Sequence, residues 1–188
     1  MGRDKAHLAI GGVPAASRIS RLLAALFEEV LIVGGDPPAT AHGRRVADVE
    51  GPQCALRGFV SALAAASCER ILVVATDLPL VSADLLLALV AWPESDAVVP
   101  RTAGGLHPLC ALYRRDPVLA VARARLADGR LALRGLLDAV DTATLEAADL
   151  ARVDPEGTAL SNVNTAEDLA RARAAAAAQE SRGLGEMS

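Results

Sequence analysis

The sequence predicts an α/β fold, with a mostly parallel sheet covered by helices on both faces. Short runs rich in Val and Ile recur at 30–33, 71–74 and 97–99, each bounded by charge or by Gly and Pro. Their length and β-branched content suit buried strands rather than helices. Between them lie Ala/Leu-rich stretches at helical spacing, roughly 14–27, 56–66, 83–91 and 117–127. Strand and helix alternating at these intervals is the pattern of a sheet wound on both sides.

A chain of 188 residues is long enough to bury one core without disulfide or metal staples. Hydrophobic residues make up 52 % but aromatics only 2 %, so the core is expected to be built from small and aliphatic side chains. So few aromatics exclude a base-stacking surface for single-stranded nucleic acid. A net charge of −4 with interspersed signs gives no footprint for a polyanion. Cys54, Cys68 and Cys110 form no C-x-x-C pair and read as reduced, mostly buried thiols. Charges or Gly/Pro interrupt every apolar run before it reaches the length of a membrane span. The charged start is not followed by an apolar stretch of signal-peptide type. A cytoplasmic protein with no membrane partner is the expectation.

The last helix opens where Thr165 is followed three residues on by Asp168, a capping-box spacing. Beyond Gln179 the composition turns polar and glycine-rich. One domain over 1–178 and a frayed tail over 179–188 is the expected organisation.

Ligands of open α/β sheets bind at the carboxyl ends of the strands, so the residues just past each apolar run are the informative ones. Asp77 follows the 71–74 run, which reads as a fully buried strand, and Pro79 ends it. A carboxylate there suits Mg²⁺, which takes one or two carboxylates together with substrate phosphates and water. The same residue also suits an N-cap or turn before the helix that begins near Ser82. Arg3 and Lys5 set two cations beside Gly2, fitted to neutralise a polyphosphate or simply to be solvated. Gly11-Gly12-Val13-Pro14 reads as a structural turn opening a helix. His107, after the Gly104-Gly105 turn and before Pro108, enters a strand either facing a ligand or at the surface. Asn162 and Asn164 fall on one side of an extended segment, and their amides suit a polar heterocycle as well as a helix-entry loop. Among known motifs, no nucleophile elbow and no phosphate-binding P-loop is found.

Taken in order, Met1-Gly2-Arg3-Asp4-Lys5-Ala6, Gly12-Val13-Pro14, Thr76-Asp77-Leu78-Pro79, His107-Pro108-Leu109-Cys110-Ala111-Leu112 and Asn162-Val163-Asn164-Thr165-Ala166-Glu167-Asp168-Leu169 resemble the successive motifs of molybdenum cofactor guanylyltransferases. The resemblance runs from residue 1 to about residue 175. It implies a three-layer, Rossmann-like nucleotidyltransferase fold. It also implies transfer of GMP from GTP to molybdopterin with loss of pyrophosphate, and Mg²⁺ as cofactor. Molybdoenzyme apo-proteins or their chaperones would receive the product. By the same resemblance, Lys5 matches a phosphate-contacting lysine and Asp77 a metal-binding aspartate. Arg3 joins the nucleotide site, and Asp48, in Val46-Ala47-Asp48, matches its second aspartate. His107, Asn162 and Asn164 would lie near the pterin or the base.

Two departures are expected to matter. The family begins with a strand and a Leu-x-Gly-Gly loop upstream of the Met-Gly segment with which this sequence opens. That strand would be central to the sheet, so a longer native chain, or an inactive one, is the expectation. At Val33-Gly34-Gly35, where some members place an asparagine, a backbone group would have to serve. The alternatives are a related cytidylyl- or sugar-phosphate nucleotidyltransferase, or a non-catalytic domain that binds molybdopterin.

Overall fold

The computed structural model describes residues 8–163 and 165–185. Two glycines open the first element. Gly11 and Gly12 take φ of +56° and +77°, which matches the twist of a two-residue hairpin turn. They join β1 (Ala9–Ile10) to β2 (Val13–Pro14). Pro14 then caps α1 (Ala15–Leu26), with its fixed φ suited to a helix entrance. The turn expected to open a helix is present.

The Val/Ile runs become β3 (Leu31–Val33), β5 (Arg70–Val74) and β6 (Ala97–Thr102). Four further strands complete the sheets: β4 (Arg44–Val46), β7 (Gly105–Leu106), β8 (Cys110–Arg114) and β9 (Thr142–Leu145). The longer helices between them are α2 (Ala55–Ala65), α3 (Ala83–Ala91) and α4 (Arg115–Ala127); α5 (Arg134–Leu137) and α6 (Ala147–Val153) are short. The last described element is α7 (Ala166–Gly185), which crosses the expected boundary at 178. Thr165 and Asp168 cap it reciprocally, at 2.8 and 3.0 Å, as their spacing predicts. Among the described residues no helix is long and apolar enough to cross a membrane.

The layers are α/β/α, but the sheet is mixed rather than mostly parallel. β8 lies between β5 and β6 and runs antiparallel to both, which makes β5 and β6 parallel to each other. β9 pairs parallel with β6 and β4 parallel with β3. The reversal has a local cause. β6 turns back within a few residues through β7, pairing Arg101 with Leu106, so β8 returns directly along its edge instead of crossing over through a helix.

Period-two alternation sorts the strands between two cores. Leu72, Val74, Val98, Cys110 and Leu112 face a cluster with Ile19 of α1, Leu85, Leu86 and Leu89 of α3, and Leu150 of α6. Ile71, Val73, Ala97, Val99, Ala111 and Tyr113 face another with Leu56, Phe59, Val60 and Leu63 of α2, Val118 of α4 and Leu136 of α5. The middle strands β6 and β8 are buried. β3 and β5, expected to be fully buried, are only half-buried. Among the described residues each pairs with a strand on one edge alone, so its side chains lack a flanking layer of neighbours. The cysteines also differ from expectation: Cys110 is buried, Cys54 half-buried and Cys68 exposed. Burial pushes the Cys110 thiol up to about 12, so that residue is an inert core atom set rather than a nucleophile.

Candidate active site

Asp77 stands in the turn after β5, half-exposed, at the carboxyl end of the strand. Its alternative role as helix cap is taken by another residue: the Ser82 hydroxyl accepts from the Leu85 amide at 3.3 Å and caps α3. The Asp77 backbone carbonyl accepts from Val163 N at 2.8 Å. That single bond ties the 161–163 segment to the β5–α3 turn and sets Asn162 next to it in the chain. Two distant motifs of the sequence thereby meet.

His107 comes to the same place from the β6–β7 hairpin. Its Nε2 lies 2.8 Å from Thr102 Oγ1, a contact that fixes the ring plane. Burial lowers the His107 pKa, and the nearby Asp77 carboxylate opposes that shift without reversing it. The imidazole is therefore biased toward its neutral form, beside a carboxylate. The lowered pKa has a definite sign in stability. Between the depressed folded value and the ordinary 6.5, the unfolded chain binds more protons, so stability rises with pH across that window. The stability advantage of the unsubstituted protein over His107→Gln is expected to shrink as pH falls from 7.5 to 5, read from urea midpoints. A constant difference would contradict it.

A second carboxylate, Asp48, follows β4. Its Oδ2 accepts from Arg57 Nη2 at 2.8 Å, and Arg57 Nη1 reaches the Gly51 carbonyl at 3.1 Å. Gly34, at φ +69°, sits directly behind it: a Cβ there would lie 3.4 Å from Asp48 Oδ2. The left-handed backbone favours glycine at 34, whereas an added Cβ would meet the carboxylate only at ordinary van der Waals distance. Next to Asp48, Val49 packs in the same apolar cluster as Ile71 and Val73 of β5, so the β4 exit and β5 share one supporting core.

Asn162 also lines a cleft of about 360 Å³ with Leu80, Ser161, Asp168 and Arg171. Neither Asp77, His107 nor Asp48 is among its lining residues. Arg3, Lys5 and Asn164 lie outside the described residues. Sequence reasoning missed Arg57 and Thr102, which act on the expected residues Asp48 and His107 through side-chain contacts. No spacing rule points to a partner nine residues away in another element.

As a metal site the arrangement is lean. Among the described residues no group of three His, Cys, Asp or Glu side chains could hold an ion. A single strand-end carboxylate nevertheless fits a magnesium ion that arrives with a polyphosphate, since such an ion keeps water and substrate oxygens as most of its ligands. It would not fit a resident zinc, which needs three or four protein donors.

Residues 1–154 match the MobA-like NTP transferase domain. The molybdenum cofactor guanylyltransferase of Cereibacter sphaeroides is 35 % identical over 179 residues, covering 91 % of this chain and 87 % of that protein. In fold, the chain is similar to the crystal structure of molybdopterin-guanine dinucleotide biosynthesis protein A from Archaeoglobus fulgidus, with a TM-score of 0.79 at 19 % identity over 94 % and 92 % of the two chains. It is also similar to 2-C-methyl-D-erythritol 4-phosphate cytidylyltransferase from Thermus thermophilus, with a TM-score of 0.71 at 21 % identity over 92 % and 93 %. The match over residues 1–154 and the relative at 35 % identity establish that the chain belongs to the MobA-like NTP transferase family.

Proposed function

We propose that this chain transfers GMP from GTP to molybdopterin and releases pyrophosphate. The observation that carries the reading is Asp77, a carboxylate at the end of β5 with His107 and the Asn162 segment brought against it. The guanylyl specificity is supported by the relatives' names at 35 % identity. In the reaction an oxygen of the acceptor phosphate attacks the α-phosphorus. One P–O bond forms, the bond to the β-phosphate oxygen breaks, and pyrophosphate leaves with the electron pair. No protein nucleophile is required, and positioning with charge neutralisation does most of the work. That agrees with a fold whose buried thiol, Cys110, is an inert core group.

Asp77 would hold Mg²⁺, which supplies charge neutralisation at the phosphate oxygens when bound. Lys5 and Arg3 would meet the triphosphate, and Asp48 the nucleoside. His107, Asn162 and Asn164 would contact the pterin or the base. Composition supports the role of Lys5, the sole lysine in a chain with 19 basic residues. Everywhere else arginine serves. A compact ammonium and a planar fork are not interchangeable against a phosphate, so the retained lysine points to chemistry at that position. A cytoplasmic location and delivery of the product to molybdoenzyme apo-proteins or their chaperones complete the proposal.

The test is selective binding and turnover. With Mg²⁺ present, GTP at a hundredfold excess over Kd should stabilise the protein by about 2.7 kcal/mol, while CTP and UTP leave the melting temperature unchanged. Pyrophosphate release should then depend on added molybdopterin. Stabilisation by CTP alone, or release that ignores molybdopterin, would replace this reading with that of another nucleotidyltransferase.

A further inference from the structure

Arg57 is in an electrostatically poor place. It occupies the first turn of α2, whose N-terminus has no side-chain cap and no acidic residue. A cation there opposes the partial positive charge of the helix end. Its Nε is buried with no hydrogen-bond partner among the described residues, a further cost to the folded state. Neither feature would be kept for stability alone. What the guanidinium does make is a two-pronged contact, to the Asp48 carboxylate at 2.8 Å and the Gly51 carbonyl at 3.1 Å.

The surroundings of Asp48 show a carboxylate held from several sides. Val49 N donates to the buried Ser61 hydroxyl at 2.9 Å, and that hydroxyl donates to the Arg57 carbonyl at 2.8 Å. The chain next to Asp48 is thereby pinned to the backbone of α2. Behind the carboxylate are two glycines: Gly34, whose added Cβ would stand 3.4 Å from Oδ2, and Gly58, whose added Cβ would stand 3.8 Å from Oδ1. Arg57 takes Oδ2, and no described residue bonds Oδ1. The ion pair remains partly open to solvent, with side-chain exposures of 22 % and 26 %, so a ligand can reach it.

We infer that Arg57 is a positioning residue for the nucleotide: it locks the Asp48 carboxylate into one rotamer so that Oδ1 accepts a hydrogen bond from the nucleoside of the incoming triphosphate. The inference rests on the nucleotidyl-transfer reading and deepens it. A carboxylate oxygen is an acceptor only, so its ligand must present a donor, either a ribose hydroxyl or the N–H groups of a guanine edge. Orienting that acceptor before the ligand arrives reduces the ordering cost of binding. The guanidinium itself never needs to touch the nucleotide.

The experiment is a steady-state comparison of Arg57→Ala, Arg57→Lys, Asp48→Asn and the double variant Asp48→Asn/Arg57→Ala. GTP is varied at fixed Mg²⁺ and molybdopterin, with melting temperatures taken alongside. Arg57→Ala should raise KM for GTP by about tenfold and leave kcat within about twofold, the mark of lost ground-state binding. Arg57→Lys, which can still donate to Oδ2, should recover part of that loss. The double variant should be no worse than Asp48→Asn, because the two residues act through one contact. Additive losses, or a fall in kcat at unchanged KM, would mean that Arg57 meets the triphosphate itself and would overturn the inference. An unchanged KM in Arg57→Ala, with the unsubstituted protein active, would overturn it alone. If the unsubstituted protein neither binds nor turns over GTP, the transfer reading falls and this inference falls with it.

Discussion

Replacing Asp77 with alanine is expected to lower Mg²⁺-dependent GMP transfer by about 10³-fold or more while leaving the fold intact, since electrostatic groups at the reacting centre dominate such reactions. A large activity effect follows from the scarcity of metal ligands. Among the described residues no cluster of three possible metal ligands exists, so the loss of this carboxylate leaves no ready-made ion cage behind. The fold is expected to survive for local reasons. The helix cap belongs to Ser82, and the bond that anchors the 161–163 segment comes from the Asp77 backbone carbonyl, which alanine keeps. Circular dichroism and melting temperature should therefore change little while pyrophosphate release is lost. Near-normal turnover in Asp77→Ala would remove this residue from the mechanism. A large fall in melting temperature would instead assign it to structure.

What the sequence could reveal depended on how local the signal was. β-branched runs and Ala/Leu periodicity are properties of neighbouring residues, and they placed β3, β5, β6 and α1 to α4 to within a few positions. The Thr165/Asp168 cap and the Gly11-Gly12 turn are equally local and came out as expected. The direction of β8 was not legible, because a strand's orientation depends on the connection before it. Here that connection is the short hairpin through β7 rather than a crossover helix. The half-burial of β5 was hidden for a related reason: Ile71-Leu72-Val73-Val74 reads the same whether a strand lies on one edge or on both.

The site divides along the same line. Asp77 and His107 could be singled out from their flanking residues, Pro79 and Pro108, because those prolines dictate backbone geometry at the strand end. Asp48 emerged only through resemblance, since nothing adjacent in the chain marks it. Arg57 did not emerge at all. Its meaning lies in a contact across the β4–α2 loop and in two penalties, an uncapped helix start and an unpaired Nε, that exist only once the chain is folded.

The core beneath this corner makes the second large prediction. Phe59 is 2 % exposed and meets Tyr113 edge-on, with ring centroids 4.8 Å apart and planes at 82°. Tyr113 in turn donates its hydroxyl to the Pro108 carbonyl at 2.7 Å, next to His107. In a chain with so few aromatics, this pair joins α2 to β8 and supports both halves of the site. Phe59→Ala removes one ring of that pair from the core and is expected to cost about 3–5 kcal/mol. For a domain of this size that corresponds to a fall of roughly 10 °C in melting temperature. Phe59→Leu, which keeps most of the volume but loses the edge-to-face geometry, should cost less, about 1.5 kcal/mol. Activity adds a second readout. Arg57 lies two residues before Phe59 on α2, so a helix that reseats over the cavity carries the guanidinium with it. KM for GTP should rise in Phe59→Ala even well below its melting temperature. If stability falls as expected and KM stays fixed, the first turn of α2 is held by its polar contacts alone. In that case the Ser61 and Asp48 bonds, rather than the aromatic pair, set the position of the nucleotide carboxylate.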